Sequence, residues 1–454
     1  MQRTTRPQFL SRFSIKRSSL VLLSLLILVL TSISYAAPTV GPVTPANSVI
    51  GGTANDQIGS GGTAILPNGN LVIISPSWND GLGAVTCLTP AEVQAGGVVV
   101  SAANSLTGSV TTDAVGFGGV TVLSNGNYVV ISQGWDNGGT SDVGAVTWVN
   151  GTTCIPFGAV SKAAVVSASN SLVGSTASDT VGINGVTALT NNGHYVVASK
   201  FWDGVAVANV GAVTWGNGET GIAGAVTTVN SLVSTANDQV GSSGVTALTN
   251  GNYVVRSSNW DDGAVADIGA VTWVNGTTGT TGVVSASNSL VGSTVSDQVG
   301  SSGVTALTNG HYVVRSSNWN GAAVDVGAAT WGNGTTGITV GPVSAINSLV
   351  GSIVNDRVGS SGVTALTNGN YVVASPNWDH GAVTNVGAAT WGNGFVGMVG
   401  AVSASNSLVG STLDDQVGRD GVTALINGNY VVASKFWDGV AVANVGAVTW
   451  GNGE

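Results

Sequence analysis

One text is written over and over along this chain. Asp238-Gln239-Val240-Gly241-Ser242-Ser243-Gly244-Val245-Thr246-Ala247-Leu248-Thr249-Asn250-Gly251-Asn252-Tyr253-Val254-Val255 recurs, with its leading aspartate at Asp56, Asp113, Asp179, Asp238, Asp297, Asp356 and Asp415, the last five copies 59 residues apart. A fixed period of this length means an array of supersecondary units that bury their faces only against each other. Seven copies are counted this way, and they set aside the length-based expectation of several domains for 454 residues.

Within a unit the residue types alternate as strands do. A short strand from Val245 to Leu248 meets Asn250-Gly251, which predicts a tight hairpin with both turn residues at positive φ. A returning strand from Tyr253 to Ser257, a loop carrying Trp260-Asp261, and a third strand from Gly269 to Trp273 follow. A fourth strand is expected from Val283 to Leu290. Val, Thr, Ser, Asn and 68 Gly dominate, and only 7% of residues are charged, so the composition is all-β.

The ends of the array point to closure. The last unit stops at Trp450-Gly451-Asn452-Gly453-Glu454, after its third strand. Residues Gly41-Pro42-Val43-Thr44-Pro45-Ala46-Asn47-Ser48-Val49 match the fourth-strand text Gly341-Pro342-Val343-Ser344-Ala345-Ile346-Asn347-Ser348-Leu349. An N-terminal strand completing the last sheet predicts a single seven-bladed β-propeller with four-stranded blades, spanning residues 37–454. The alternative is a parallel β-helix, which predicts a sub-period inside each 59 residues that the sequence does not have.

Residues 1–36 differ from everything after them. Arg3, Arg6, Arg12, Lys16 and Arg17 precede an apolar run from Leu20 to Ile33, and Ser34-Tyr35-Ala36 offers small residues for cleavage after Ala36. This predicts a signal peptide and a secreted or cell-surface mature chain. The alternative, an uncleaved anchor, is disfavoured because the run falls short of the ~20 residues a spanning helix needs. No other stretch is apolar enough to span a membrane. Without the leader, seven basic residues face 22 acidic ones, a balance of −15 that offers nucleic acid no electrostatic footprint. Cys87 and Cys154 are candidates for a disulfide in an oxidising compartment. Their spacing does not establish one.

The Asp-x-Val-Gly element, the hairpin and Gly-Ala-Val-Thr-Trp-Gly-Asn-Gly together resemble the FG-GAP repeat of integrin-α-type propellers. The wording is similar as well to uncharacterised repeats of bacterial exported proteins labelled haemagglutinin- or adhesin-like. The resemblance covers residues 41–454 and implies a propeller and calcium loops. Where that family carries Asp-x-Asn-x-Asp-Gly, this chain has turns such as Asn68-Gly69-Asn70 and Asn309-Gly310-His311, without a carboxylate. Calcium takes six to eight oxygen ligands including carboxylates. No metal or other cofactor is therefore expected.

All thirteen Trp occupy two positions of the unit. Those ending the third strand (Trp148, Trp215, Trp273, Trp331, Trp391 and Trp450) are expected to pack between units, with Cys87 in that place in the first unit. The loop set (Trp78, Trp135, Trp202, Trp260, Trp319, Trp378 and Trp437) is the candidate binding site. If exposed beside Asp136, Asp203, Asp261, Asp379 and Asp438, these rings would form platforms for sugars; if buried, they are packing residues. The Asp-x-Val-Gly aspartates are expected to fix turns. His194 and His311 stand at the hairpin position held elsewhere by Asn252 or Asn370. No Ser/His/Asp set, phosphate loop or carboxylate pair stands outside the repeated pattern. The sequence thus predicts a monomeric, non-catalytic, adhesin-like module for an extracellular protein or glycan. A carbohydrate-binding propeller and a structural envelope component are the alternatives.

Overall fold

A computed structural model describes residues 42–190, 193–337 and 340–454. All elements considered below belong to the body formed by residues 45–454, and the leader lies outside the described residues. The chain is an all-β repeat protein. In the unit that begins at Val245, strands Val245–Ala247, Tyr253–Ser257 and Ala270–Val274 form an antiparallel meander, with Val255 opposite both Val245 and Thr272. This antiparallel order within each unit replaces the parallel coils of the alternative fold.

The hairpin differs from the expected two-residue turn. Gly251 alone has positive φ (89°), the Leu248 N–H donates to the Asn252 carbonyl (2.8 Å), and the Gly251 N–H donates to the Leu248 carbonyl (3.1 Å). This is a three-residue connection with glycine in the left-handed position. Asn250 keeps ordinary φ, and its side chain is occupied on both sides. Its Oδ1 accepts the Asn252 N–H (3.1 Å) and its Nδ2 donates to the Gly334 carbonyl of the next unit (2.7 Å).

The expected fourth strand is two strands. Gly282–Val283 and Leu290–Val291 flank a turn closed by Asn288, whose Oδ1 accepts the Ser285 N–H (2.9 Å) and whose Nδ2 donates to the Val283 carbonyl (2.9 Å). Such local side-chain bonds compete with extended pairing and break the run. The first piece leaves its own unit and pairs in parallel with Ser231–Val233 of the preceding one. The second pairs antiparallel with Ala270–Val274 and receives Gly341–Pro342 from the following unit in parallel. Five successive sheets consequently have five strands, four from one unit and one from the next, in place of self-contained four-stranded blades, and the sheet before the last has four.

Neighbouring units also meet along their first strands, where the hydroxyls of Thr305 and Thr308 donate to the Val363 and Leu366 carbonyls (3.4 and 3.1 Å). Between these two seams lies an apolar core built by both units. Leu189, Val196 and Val213 from one unit pack with Tyr253, Val255, Trp260 and Val274 from the next. A unit alone would leave half of such a core in water, so its stability is shared with its neighbours.

The expected ring closure is not formed. Val49–Ile50 pairs in parallel with Val98–Val99 of the first unit, taking the place a preceding unit's strand would fill. The last sheet has three strands, and the outer edge of Ala447–Gly451 has no strand partner among the described residues. On that strand Val448 is 77% and Trp450 58% exposed, whereas Val271, the counterpart of Val448, is fully buried. The counterpart Leu290–Val291 is paired on both edges, whereas Val49–Ile50 is paired only with Val98–Val99 among the described residues.

Candidate interaction surface

The loop after each second strand lies beside the connection into the following unit. The Asn355 N–H donates to the Val324 carbonyl and the Asp414 N–H to the Thr384 carbonyl, each at 3.1 Å. Both loop sets thus share one face. The Asp-x-Val-Gly aspartates organise it from beneath, and all seven are buried. Asp356 Oδ2 accepts the Ser352 and Ile353 N–H groups (2.7 and 2.8 Å), and Oδ1 accepts the Asp379 N–H (2.9 Å). Asp379 in turn accepts the Asn385 N–H (2.7 Å), so two carboxylates pin one loop.

The surroundings set the acidity of these groups. Burial raises the pKa of Asp356 despite its three amide donors. At Asp415, burial acts in the same sense, but the Thr412 hydroxyl and the Thr412, Ser411 and Asp438 amides outweigh it and hold the carboxyl below its ordinary value. Both are turn-fixing carboxylates whose lone pairs are occupied by the protein. The histidines belong to turns too. Nδ1 of His194 accepts the Gly218 N–H (3.1 Å) and Nδ1 of His311 the Gly334 N–H (3.0 Å), the role Asn252 Oδ1 plays toward the Gly276 N–H (2.9 Å).

The loop tryptophans do not form a platform. Trp78, Trp135, Trp202, Trp260, Trp319 and Trp378 are buried, between 3% and 8% exposed, and Trp437 is half-buried. All but Trp78 follow a tight turn in which the Trp N–H reaches back to the carbonyl of the serine ending the second strand, as Trp260 does to Ser257 (3.1 Å). That turn points the ring into the core between units, where Trp260 packs with Val240 and Ile268. Rings held this way present no face to a sugar, which corrects the binding assignment of the six buried residues.

The other tryptophan set joins unit to unit. The indole N–H groups of Trp148, Trp215, Trp273, Trp331 and Trp391 donate to the carbonyls of Gly218, Gly276, Gly334, Gly394 and Gly453 in the next unit, at 2.9–3.0 Å. A glycine three residues after each of the first four acceptor carbonyls (Gly221, Gly279, Gly337 and Gly397) makes room for the ring. A Cβ on Gly279 would stand 2.6 Å from Trp215 Cβ, and one on Gly397 2.8 Å from Trp331 Cβ. The first joint keeps this geometry with different chemistry. Cys87 replaces the tryptophan, Cys154 replaces the glycine, and the two form a disulfide with Cα atoms 5.8 Å apart.

The face above the aspartates shows aliphatic side chains that the sequence reading passed over. Val295, Val324, Val354, Val383, Leu413 and Val440 are exposed at successive loop tips. The missed signal is positional, since apolar residues recur two places before Asp297, Asp356 and Asp415, inside text otherwise made of turn residues. A polar cleft of about 680 Å³ interrupts the row, lined by Ser317, Asn355, Arg357, Ser360, Asn377 and Asn385 among others. Arg357 pairs there with Asp325 (3.0 Å). Among the described residues no helix is long and apolar enough to cross a membrane.

A family model described as a repeat of unknown function, DUF5650, matches residues 30–60, 65–117, 122–183, 189–242, 247–301, 306–360, 365–419 and 424–454. These eight tandem segments correct the count of seven. Seven of them contain the Asp-x-Val-Gly copies, and the eighth carries the strands after the last copy. The match lends no support to the resemblance to FG-GAP repeats. No curated protein matches the chain.

Proposed function

We propose that this chain, which belongs to the DUF5650 family of repeats, is an exported, non-catalytic interaction module that binds an extracellular protein through its loop face. The observation that carries this reading is the row of exposed aliphatic tips, Val295, Val324, Val354, Val383, Leu413 and Val440. Water-exposed apolar residues set in register along one face are characteristic of association surfaces, and stacked repeats provide such surfaces at low cost in specialised structure. Export is supported by the leader at residues 1–36 and by the Cys87–Cys154 bridge, since structural disulfides persist in oxidising compartments.

The absence of catalysis is inferred from how the reactive groups are employed. Buried aspartates hold turns, and His194 and His311 accept backbone N–H groups. The adhesin-like reading is tested by coating the purified chain on a surface and measuring attachment of extracellular matrix proteins and of whole cells. Substituting Val324→Asp, Val354→Asp and Leu413→Asp together is expected to reduce attachment at least tenfold with the melting temperature unchanged. Undiminished attachment by the triple variant would remove the loop face from the account.

A further inference from the structure

Two adjacent units break the repeated text at the same three positions. Arg256 and Arg315 stand near the end of the second strand, where the other units have Ile74, Ile131, Ala198, Ala374 and Ala433. Ser258 and Ser317 follow two residues later, where others carry Pro, Gln or Lys. Ser243 and Ser302 complete the set, and hydrogen bonds of 2.6 Å link Ser243 to Ser258 and Ser302 to Ser317. In the other five units these three residue types never occur together.

The guanidinium groups lack a counter-charge. The ion pairs among the described residues are Lys162–Glu92, Arg357–Asp325 and Lys435–Asp420, and none involves Arg256 or Arg315. Each arginine is only partly exposed and reaches into the next unit, Nη1 donating to the Gly300 carbonyl (3.3 Å) and the Gly359 carbonyl (3.2 Å) respectively. Nε of both is buried without a hydrogen-bond partner, and so is Oγ of Ser301, the residue after the carbonyl that Arg256 contacts. Burial and then the proximity of Arg315 disfavour the charge on Arg256. Two mutually repelling cations with idle donors are a costly arrangement unless an anion completes it.

We propose that Arg256 and Arg315, with the adjoining serines, form a site for the oxyanion of an acidic ligand, a carboxylate or a sulfate group. A guanidinium is a planar, permanently charged set of N–H donors suited to the oxygens of such a group, and both arginines are partly exposed. Serine hydroxyls donate to the remaining lone pairs. Ser317 lines the same cleft as Val354 of the aliphatic row, but neither arginine belongs to that row, so substituting the arginines tests the site apart from it.

The test is calorimetric titration of the full chain at low ionic strength, one arm with sodium sulfate and one with a galacturonate oligomer. The variant is Arg256→Ala with Arg315→Ala, a residue that units at Ala198, Ala374 and Ala433 already accommodate. Saturable binding in at least one arm, weakened tenfold or more by the double variant and by added sodium chloride, is the expected result. The arm that saturates tells sulfate from carboxylate. In anion-free buffer the variant is expected to melt no lower than the parent. No saturable heat in either arm, or equal heats from parent and variant, would overturn the proposal and leave the arginines as brackets between units.

Discussion

The indole N–H of Trp273 donates to the carbonyl of Gly334, 3.0 Å away in the next unit. The same carbonyl accepts from Nδ2 of Asn250 and of Asn252, each at 2.7 Å. One backbone oxygen thus gathers three donors from the preceding unit, and a bond of this kind recurs at every later joint. Trp273→Phe keeps most of the ring and removes the N–H. It is expected to lower stability by about 1 kcal/mol, the usual net value of one hydrogen bond, measured as a shift in the urea midpoint.

At the first joint the link is covalent. Cys87 and Cys154 are 67 residues apart, and in the chain-entropy account releasing a bridge over such a loop costs about 4 kcal/mol. Cys87→Ala with Cys154→Ala is expected to lower the first thermal transition accordingly. Cys87→Trp with Cys154→Gly restores the pair found at the other joints and is expected to recover part of that loss. Differential scanning calorimetry of the three proteins decides it.

The turn aspartates divide by environment. Asp415 is held ionised, so its stabilisation is present above the unfolded carboxyl pKa and lost as pH falls through the lower folded value. Asp356 has the opposite sign: burial raises its pKa, so its contribution is full in acid and declines as pH rises through the folded value. At pH 7, Asp415→Asn is therefore expected to cost about 2 kcal/mol, the scale of a charge-assisted bond, and Asp356→Asn less. Chemical denaturation at pH 7 and pH 4 is expected to show the gap between the two variants closing in acid.

Burial lowers the pKa of His311, whose Nδ1 accepts the Gly334 N–H. The neutral ring is the one that fits, so stability is full above the ordinary histidine pKa and falls as pH drops through the lower folded value. Melting temperatures are expected to decline from pH 7 to pH 5. His194→Asn with His311→Asn, which copies the acceptor of Asn252, is expected to flatten that decline.

Much of this was legible in the sequence because it is local. The second strand, the turn role of the aspartates and the substitution of His for Asn follow from a few neighbouring residues. What did not follow depends on choices between distant, nearly equal partners. The two-residue strand Gly282–Val283 carries no mark that sends it to the preceding unit, and nothing in Val49–Ile50 tells that only one of its two edges will be paired. The inward turn of Trp260 rests on a core that another unit supplies. Arg256 and Arg315 were overlooked for a different reason: within a strand they resemble ordinary variation, and only their recurrence with Ser258 and Ser317 sets them apart.

Backbone hydrogen exchange, read by mass spectrometry on peptides covering 388–392 and 447–451, tests the arrangement of the units most directly. The first segment is paired on both sides and the second on one. Slow exchange across 388–392 with fast exchange of the outward amides of 447–451 is the predicted result. Equal, full protection of both segments would mean that a strand covers the last edge, contradicting the open end described for this chain.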